Sequence, residues 1–221
     1  MNLLSSNNST LHEVFLNDHL YVDKTAELVN FITHLEKKPR LRSPNIYLMI
    51  RPRGFGLSLV SETIEAFISR SDIVHSKIKT AGFDEVIPKA PVVRLSLNKI
   101  KANTPLEFKE ALIEMLQLQM WEHHLSARMA SSHRPKICFF MTQAMDRQYQ
   151  QEALAIYLDT LNAIKQAGDS VRWSLLSGHV KFDLASEYSE GLPIVKDYSF
   201  SPLCDTLFGF SVDEVKKTFK D

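Results

Sequence analysis

The stretch RPRGFGLSL, residues 51–59, holds the residue types in this chain best suited to chemistry. An apolar run, IYLMI at residues 46–50, precedes it, and a helical pattern follows at Leu59, Val60, Thr63, Ile64, Phe67 and Ile68. A glycine-bearing turn between a strand and a helix gathers backbone N–H groups at the positive end of the helix, an arrangement that suits a phosphate. The full pattern, G-x-x-x-x-G-K-[ST], adds a lysine for the outer phosphates and a hydroxyl for Mg²⁺. Gly56 and Ser58 fit it, but Leu57 occupies the lysine position and Arg51 the first glycine position. Spacing alone leaves two readings: a phosphate site with Arg53 beside the cradle, or a plain turn whose following helix takes Ser58 as N-cap. In the first, the branched side chain of Leu57 points toward the space a phosphate would fill.

Other candidates carry less. Lys37, Lys38, Arg40, Arg42, Arg51 and Arg53 form a basic cluster against one acid, Glu36. It reads either as a substitute phosphate clamp or nucleic-acid contact, or as a solvated loop with arginines that cap neighbouring structure. The second is favoured, because no aromatic residues for base stacking interleave with the charges. His123 and His124 are adjacent on a helical pattern and so face different directions, which argues against a shared metal and for surface positions; His133 lies beyond them. Cys138 and Cys204 have no partner at metal spacing and read as buried or free thiols. The run Gly54 to Ser58 only imitates a nucleophile elbow, since G-x-S-x-G is absent. No catalytic residue and no metal ligand set is expected.

The elements that must position the turn alternate along the chain. PVVRLSL at residues 91–97 is a second strand, followed by a helix from Pro105 toward Ala130 with a stripe of Leu106, Ala111, Leu112, Met115, Leu116 and Leu118. Pro105 behind Asn103-Thr104 is a good helix opening, and Met120 and Trp121 are expected in the core. ICFFM at 137–141 is a third strand, Ala153 to Ala167 a helix stopped by Gly168, and WSLL at 173–176 a fourth strand ending at Ser177-Gly178. Apolar strands between amphipathic helices indicate an α/β fold with a parallel sheet covered on both faces. The composition agrees, with 44% hydrophobic and 24% charged residues in 221, and only seven glycines. Lys+Arg and Asp+Glu are both 26, so no basic excess points to nucleic acid, and neither a leader nor a membrane span stands out, which places the protein in the cytoplasm.

Several motifs in order resemble those of the AAA-ATPase-like family. Tyr21, Val22, Asp23, Lys24 and Thr25 match its Y-V-D-K-T, and Arg51, Pro52, Arg53, Phe55, Gly56, Ser58 and Leu59 match its R-P-R-R-F-G-K-S-L. PVVRLSLNKIK resembles the family's second strand segment, LLSGHVK at 175–181 its L-L-T-G-V-S-R, and CDTLFGFSVDEV at 204–215 its closing T-L-x-G-F-T-x-E-E-V. The resemblance implies a P-loop NTPase-like parallel sheet flanked by helices, with a lead-in at residues 1–19 and the domain at 20–221. It also implies a lid and a restriction-type nuclease extension, which this chain is expected to lack after Asp221, and a setting of mobile-element or host-defence conflict.

The departures shape the functional expectation. The family's I-D-E-Y-D, whose carboxylates position Mg²⁺ and polarise water, corresponds to PKICFFMTQAM, with Met141 and Thr142 in place of the acids and Asp146 too far along. Ser177 keeps a hydroxyl at the sensor position, and Lys181 replaces an arginine. Arg53, Gly56, Ser58, Ser177 and Lys181 are therefore the remnants of a degenerate nucleotide site, and the chain is expected to be a pseudo-ATPase without a required cofactor. A weak nucleotide-binding protein or ATPase using Gly56, Ser58 and a substitute arginine is the alternative. A protein partner, a second copy of the chain included, is expected over Phe208, Phe210, Val215 and Phe219, with Leu207 beside them; neither nucleic acid nor membrane is.

Overall fold

The computed structural model describes residues 10–37, 46–71, 87, 89–125, 137–143, 150–179 and 195–218. The chain divides into two compact units, each built from separated stretches: Arg40–Ile50 with Ala90–Asp197, and Met1–Pro39 with Arg51–Lys89 and Tyr198–Asp221.

The first of these contains a sheet. Its strands are β1 (Ile46–Ile50), β2 (Val92–Ser96), β3 (Ile137–Gln143), β4 (Val171–Gly178) and β5 (Val195–Asp197), in the order β2-β3-β4-β1-β5. Every pairing is parallel, as expected from strands that read as continuous apolar runs. Alternation sends Ile46, Leu48, Val93, Leu95, Met141 and Leu176 to one face, where they pack with Phe108 and Leu112 of α4 (Pro105–Glu122) and Tyr157, Leu161 and Ile164 of α5 (Gln150–Gln166). Their neighbours Tyr47, Met49, Trp173, Leu175 and Cys138 are buried as well. Thr104 caps α4 by accepting the Glu107 N–H at 3.2 Å, with Pro105 in the first turn. At the end of α5 the chain turns through Gly168 at φ +52°, a conformation that favours glycine.

α4 departs from the expected stripe. Phe108 and Leu112 face the core, while Leu106, Leu118, Met120 and Trp121 are exposed. The core expected at Met120 and Trp121 is therefore corrected: at about 100° per residue, both fall away from the side defined by Phe108 and Leu112. The helix ends at Glu122, His123 forms its C-cap, and His124 is exposed with φ +50°. His133 lies outside the described residues.

Among the described residues the second unit is helical, with α1 (Leu11–Leu16), α2 (Thr25–Lys37), α3 (Leu57–Ser69), α6 (Val212–Thr218) and a 3₁₀ turn at Pro202–Cys204. α1, inside the stretch expected as a lead-in, opens with a reciprocal box in which Thr10 Oγ1 accepts the Glu13 N–H and the Glu13 carboxylate accepts the Thr10 N–H. The Leu11 N–H also donates to Glu62 of α3, 2.6 Å away. Leu28, Phe31, Ile32 and Leu35 line one face of α2, the spacing of an amphipathic helix. Tyr198 meets that helix through the Phe31 ring, edge to face at 6.0 Å, and through a 3.2 Å hydrogen bond with His34.

Leu161 is wholly buried between α5 and the sheet. Leu161→Ala is expected to cost about 2–5 kcal/mol, whereas Thr104→Ala, which removes only the cap, should cost about 1 kcal/mol. Urea denaturation would read both as shifts of the midpoint.

Candidate functional site

The turn after β1 is built on two left-handed glycines. Gly54 has φ +87° and Gly56 φ +77°, and a Cβ at either would meet no atom within 4 Å, so conformation rather than crowding calls for glycine there. The Phe55 N–H donates to the Pro52 carbonyl at 3.4 Å, closing the turn, and the Gly209 N–H donates to the Phe55 carbonyl at 3.3 Å. Gly56 is itself the N-cap of α3, and no side chain caps the helix. Ser58 stands one residue inside the helix and is exposed, so the expectation of Ser58 as the N-cap is corrected. With no acidic residue in its first turn, α3 presents its positive end unneutralised.

Leu57 is buried, while Arg53, Phe55, Gly56 and Ser58 around it are exposed. An apolar side chain at the start of a helix gains more from burial than from facing water. No lysine stands at the start of α3, and the cations of the turn are Arg51 and Arg53.

Arg51 is committed elsewhere in its unit. Its guanidinium donates to the carbonyl of Ser199 and, at 3.4 Å, to that of Cys204, and it lies 4.7 Å from the centroid of the Phe208 ring. This matches the reading of an arginine that caps neighbouring structure. Burial pushes the Cys204 thiol up to about 11, with the nearby Arg51 charge pulling the other way, so Cys204 is an inert thiol; Cys138 is buried too, and neither cysteine forms a disulfide. Lys38, Arg40 and Arg42 lie outside the described residues, as does the side chain of Lys37.

At the carboxyl end of the sheet, Ser177 is buried and pairs in register with Met49 on one side and Thr142 on the other. Met141 is 1% exposed and belongs to the apolar face packed by α4 and α5. A carboxylate there would be stripped of water without a partner. The Thr142 side chain, Asp146 and Lys181 lie outside the described residues. Among the described residues no group of three or more His, Cys, Asp or Glu could hold a metal, and no helix is long and apolar enough to cross a membrane.

Lys24 is a buried cation that spacing did not single out. Its ammonium donates to the Thr206 carbonyl at 2.5 Å and to Glu214 at 3.1 Å. Glu214 also accepts the Ser211 N–H at 2.6 Å, while Ser211 Oγ accepts the Glu214 N–H, so the N-terminal box of α6 and the ion pair share one carboxylate. Asp23 holds the approach by accepting the Thr25 N–H at 3.0 Å. The signal was present in the sequence: the Y-V-D-K-T motif carries a cation and the closing motif an acid. Burial also pushes the Tyr21 hydroxyl of this motif up to about 12, against a hydrogen bond with Thr63.

Of the interface candidates, Leu207 and Phe208 are covered by the fold itself, whereas Phe210 and Val215 are exposed, as are Phe200 and Val212. Phe219 lies outside the described residues.

A parallel sheet of this order, a glycine turn leading from its first strand into a helix, and the matching Y-V-D-K-T segment together define a nucleotide-fold α/β protein. The model of the family described as predicted AAA-ATPase matches residues 9–161, and the chain belongs to that family. The matched stretch takes in α1, the Lys24 segment, the turn and β3, and it ends within α5, before Ser177. No curated protein matches the chain.

Removing the Lys24 ammonium should leave Glu214 and the Thr206 carbonyl short of a donor. Lys24→Met is expected to lower stability by about 1–3 kcal/mol. Partial burial pushes the Glu214 pKa up, but the Ser211 and Lys24 donors together outweigh it and hold it below the ordinary 4.5. A depressed carboxylate contributes its stability fully above 4.5 and loses it as the pH falls through the lower folded value. Thermal melts from neutral to acid should therefore show a smaller loss in Glu214→Gln than in the wild type, and equal losses would mean that the pair adds nothing.

Proposed function

We propose that this AAA-ATPase-like chain is a pseudo-ATPase, acting in the cytoplasm as a protein-interaction or regulatory module. One observation carries the reading: Leu57, buried and apolar, stands at the first helical position of α3, where the family's lysine would reach the outer phosphates. Phosphoryl transfer is catalysed by positioning and charge neutralisation, so losing that ammonium removes a main catalytic term. Met141, packed in the core at the position of a family carboxylate, supports the same reading.

A second reading, retained anion or weak nucleotide binding, draws on the uncapped α3 N-terminus, on Gly54 and Gly56, and on the exposed Ser58 with Arg53 nearby. Backbone amides can hold a phosphate without a lysine, though more weakly. Ser177 and Lys181 complete the candidate set by family position. The interaction role draws on exposed Phe210 and Val215, with a second copy or another protein as partner, and no nucleic acid or cofactor takes part. Mobile-element or host-defence conflict is the setting that family association suggests.

Purified protein is expected to release no phosphate from ATP or GTP with Mg²⁺ above background. Turnover that disappears in Ser58→Ala would overturn the proposal. Calorimetry should show ATP binding weaker than a micromolar Kd, the equivalent of about −8 kcal/mol. Light scattering of the wild type and Phe210→Asp tests the interaction role: an assembly or captured partner lost in the variant supports it, and a monomer with no partner in either case removes it.

A further inference from the structure

α4 has two apolar faces. Phe108 and Leu112, with Met115 and Leu116 half-buried beside them, pack into the sheet unit. On the opposite side Leu106, Ile113 and Met120 recur every seven residues and are 64%, 43% and 37% exposed, with Trp121 next to the last at 73%. At about 100° per residue these four fall within one stripe, which also takes in Glu110 and Gln117. Single exposed apolar residues are ordinary, but four aligned over the length of one helix form the seam that a second helix fills.

Charge indicates which helix. The exposed surface of α4 carries Glu107, Glu110, Glu114 and Glu122 against one cation, Lys109. Glu110 lies within the stripe, and Glu107 and Glu114 run along its edge. A second copy of the chain would bring the same carboxylates together, and like charges at a seam oppose pairing. We propose that this face docks a basic amphipathic helix of another protein, whose apolar residues cover Leu106, Ile113, Met120 and Trp121 and whose lysines or arginines meet Glu107, Glu110 and Glu114. The proposal rests on the interaction reading above and adds to it a surface distinct from Phe210 and Val215, with a partner chemistry.

The two tryptophans make the test direct, because Trp121 is exposed and Trp173 is buried. A synthetic eighteen-residue helix of leucine and lysine, apolar on one face, is titrated into the full chain while tryptophan emission is followed; a twin with glutamate for lysine is the control. The leucine-lysine peptide should give a saturable blue shift, and Trp121→Phe should lose the shift while calorimetry still reports binding. Ile113→Ser should weaken binding about tenfold, as should Glu107→Gln with Glu110→Gln and Glu114→Gln at low salt. Circular dichroism confirms that each variant folds. No saturable shift, an equal response to the glutamate twin, or affinity unchanged in Ile113→Ser would overturn the proposal. Self-association without peptide that Ile113→Ser abolishes would also overturn it, in favour of a second copy. ATP turnover would refute the pseudo-ATPase reading and leave this titration intact, and a failed titration without turnover would remove only this surface.

Discussion

Two cations, the buried Lys24 and the half-buried Arg51, hold together a unit that the chain enters three times. Lys24 comes from the first stretch and closes on Thr206 and Glu214 of the last, and Arg51 comes from the second and closes on Ser199 and Cys204 of that same last stretch. Each closure brings together residues far apart in sequence, which costs chain entropy. Charged donors to carbonyl and carboxylate oxygens are among the stronger hydrogen bonds available to offset that cost. They also set geometry: the segment held by Arg51 and Lys24 includes Gly209, whose N–H donates to Phe55 in the glycine turn. The shape of the turn thus depends on contacts made by a distant part of the chain.

That dependence explains how the fold alone can hold the backbone of the glycine turn. Gly54 and Gly56 satisfy backbone conformation, and Gly209 meets the turn at a close approach, its hypothetical Cβ 3.7 Å from the Phe55 ring. None of these requirements needs a phosphate to be present. Leu57 and Met141 answer to packing, and each sits where burial rewards an apolar side chain and penalises a charge. Selection for the fold alone would keep the glycines and tolerate both of these residues.

Strands β1 to β4 were legible because each is an apolar run with helical periodicity on either side, and the Thr104-Pro105 opening of α4 carries its own chemistry. β5 was not, since three residues, Val195–Asp197, give no periodicity to read. The division into two units was also hidden, because each draws on separated stretches and no linker composition marks the joins. In the candidate site, residue types told what was missing but not where side chains turn: burial of Leu57, and the replacement of Ser58 by Gly56 as N-cap, depend on the backbone angles of the turn. Lys24 stood within a recognised motif, yet its carboxylate partner lies at the other end of the chain, and pairing across such a distance is a property of the fold.

α4 shows the same limit in the other direction. Its apolar residues are spread around the helix, so the expected stripe of Leu106, Leu112 and Leu118 mixes the two faces, and Met120 and Trp121, expected in the core, stand outside the side that Phe108 and Leu112 occupy. Once the faces are separated, the outer one poses a physical problem. The chain has equal numbers of acidic and basic residues, so its net charge gives little protection against indiscriminate association. An exposed apolar stripe on such a molecule is tolerable when local charge makes it selective. Glu107, Glu110 and Glu114 do this by repelling a second copy and other acidic surfaces, while leaving the stripe open to a basic helix.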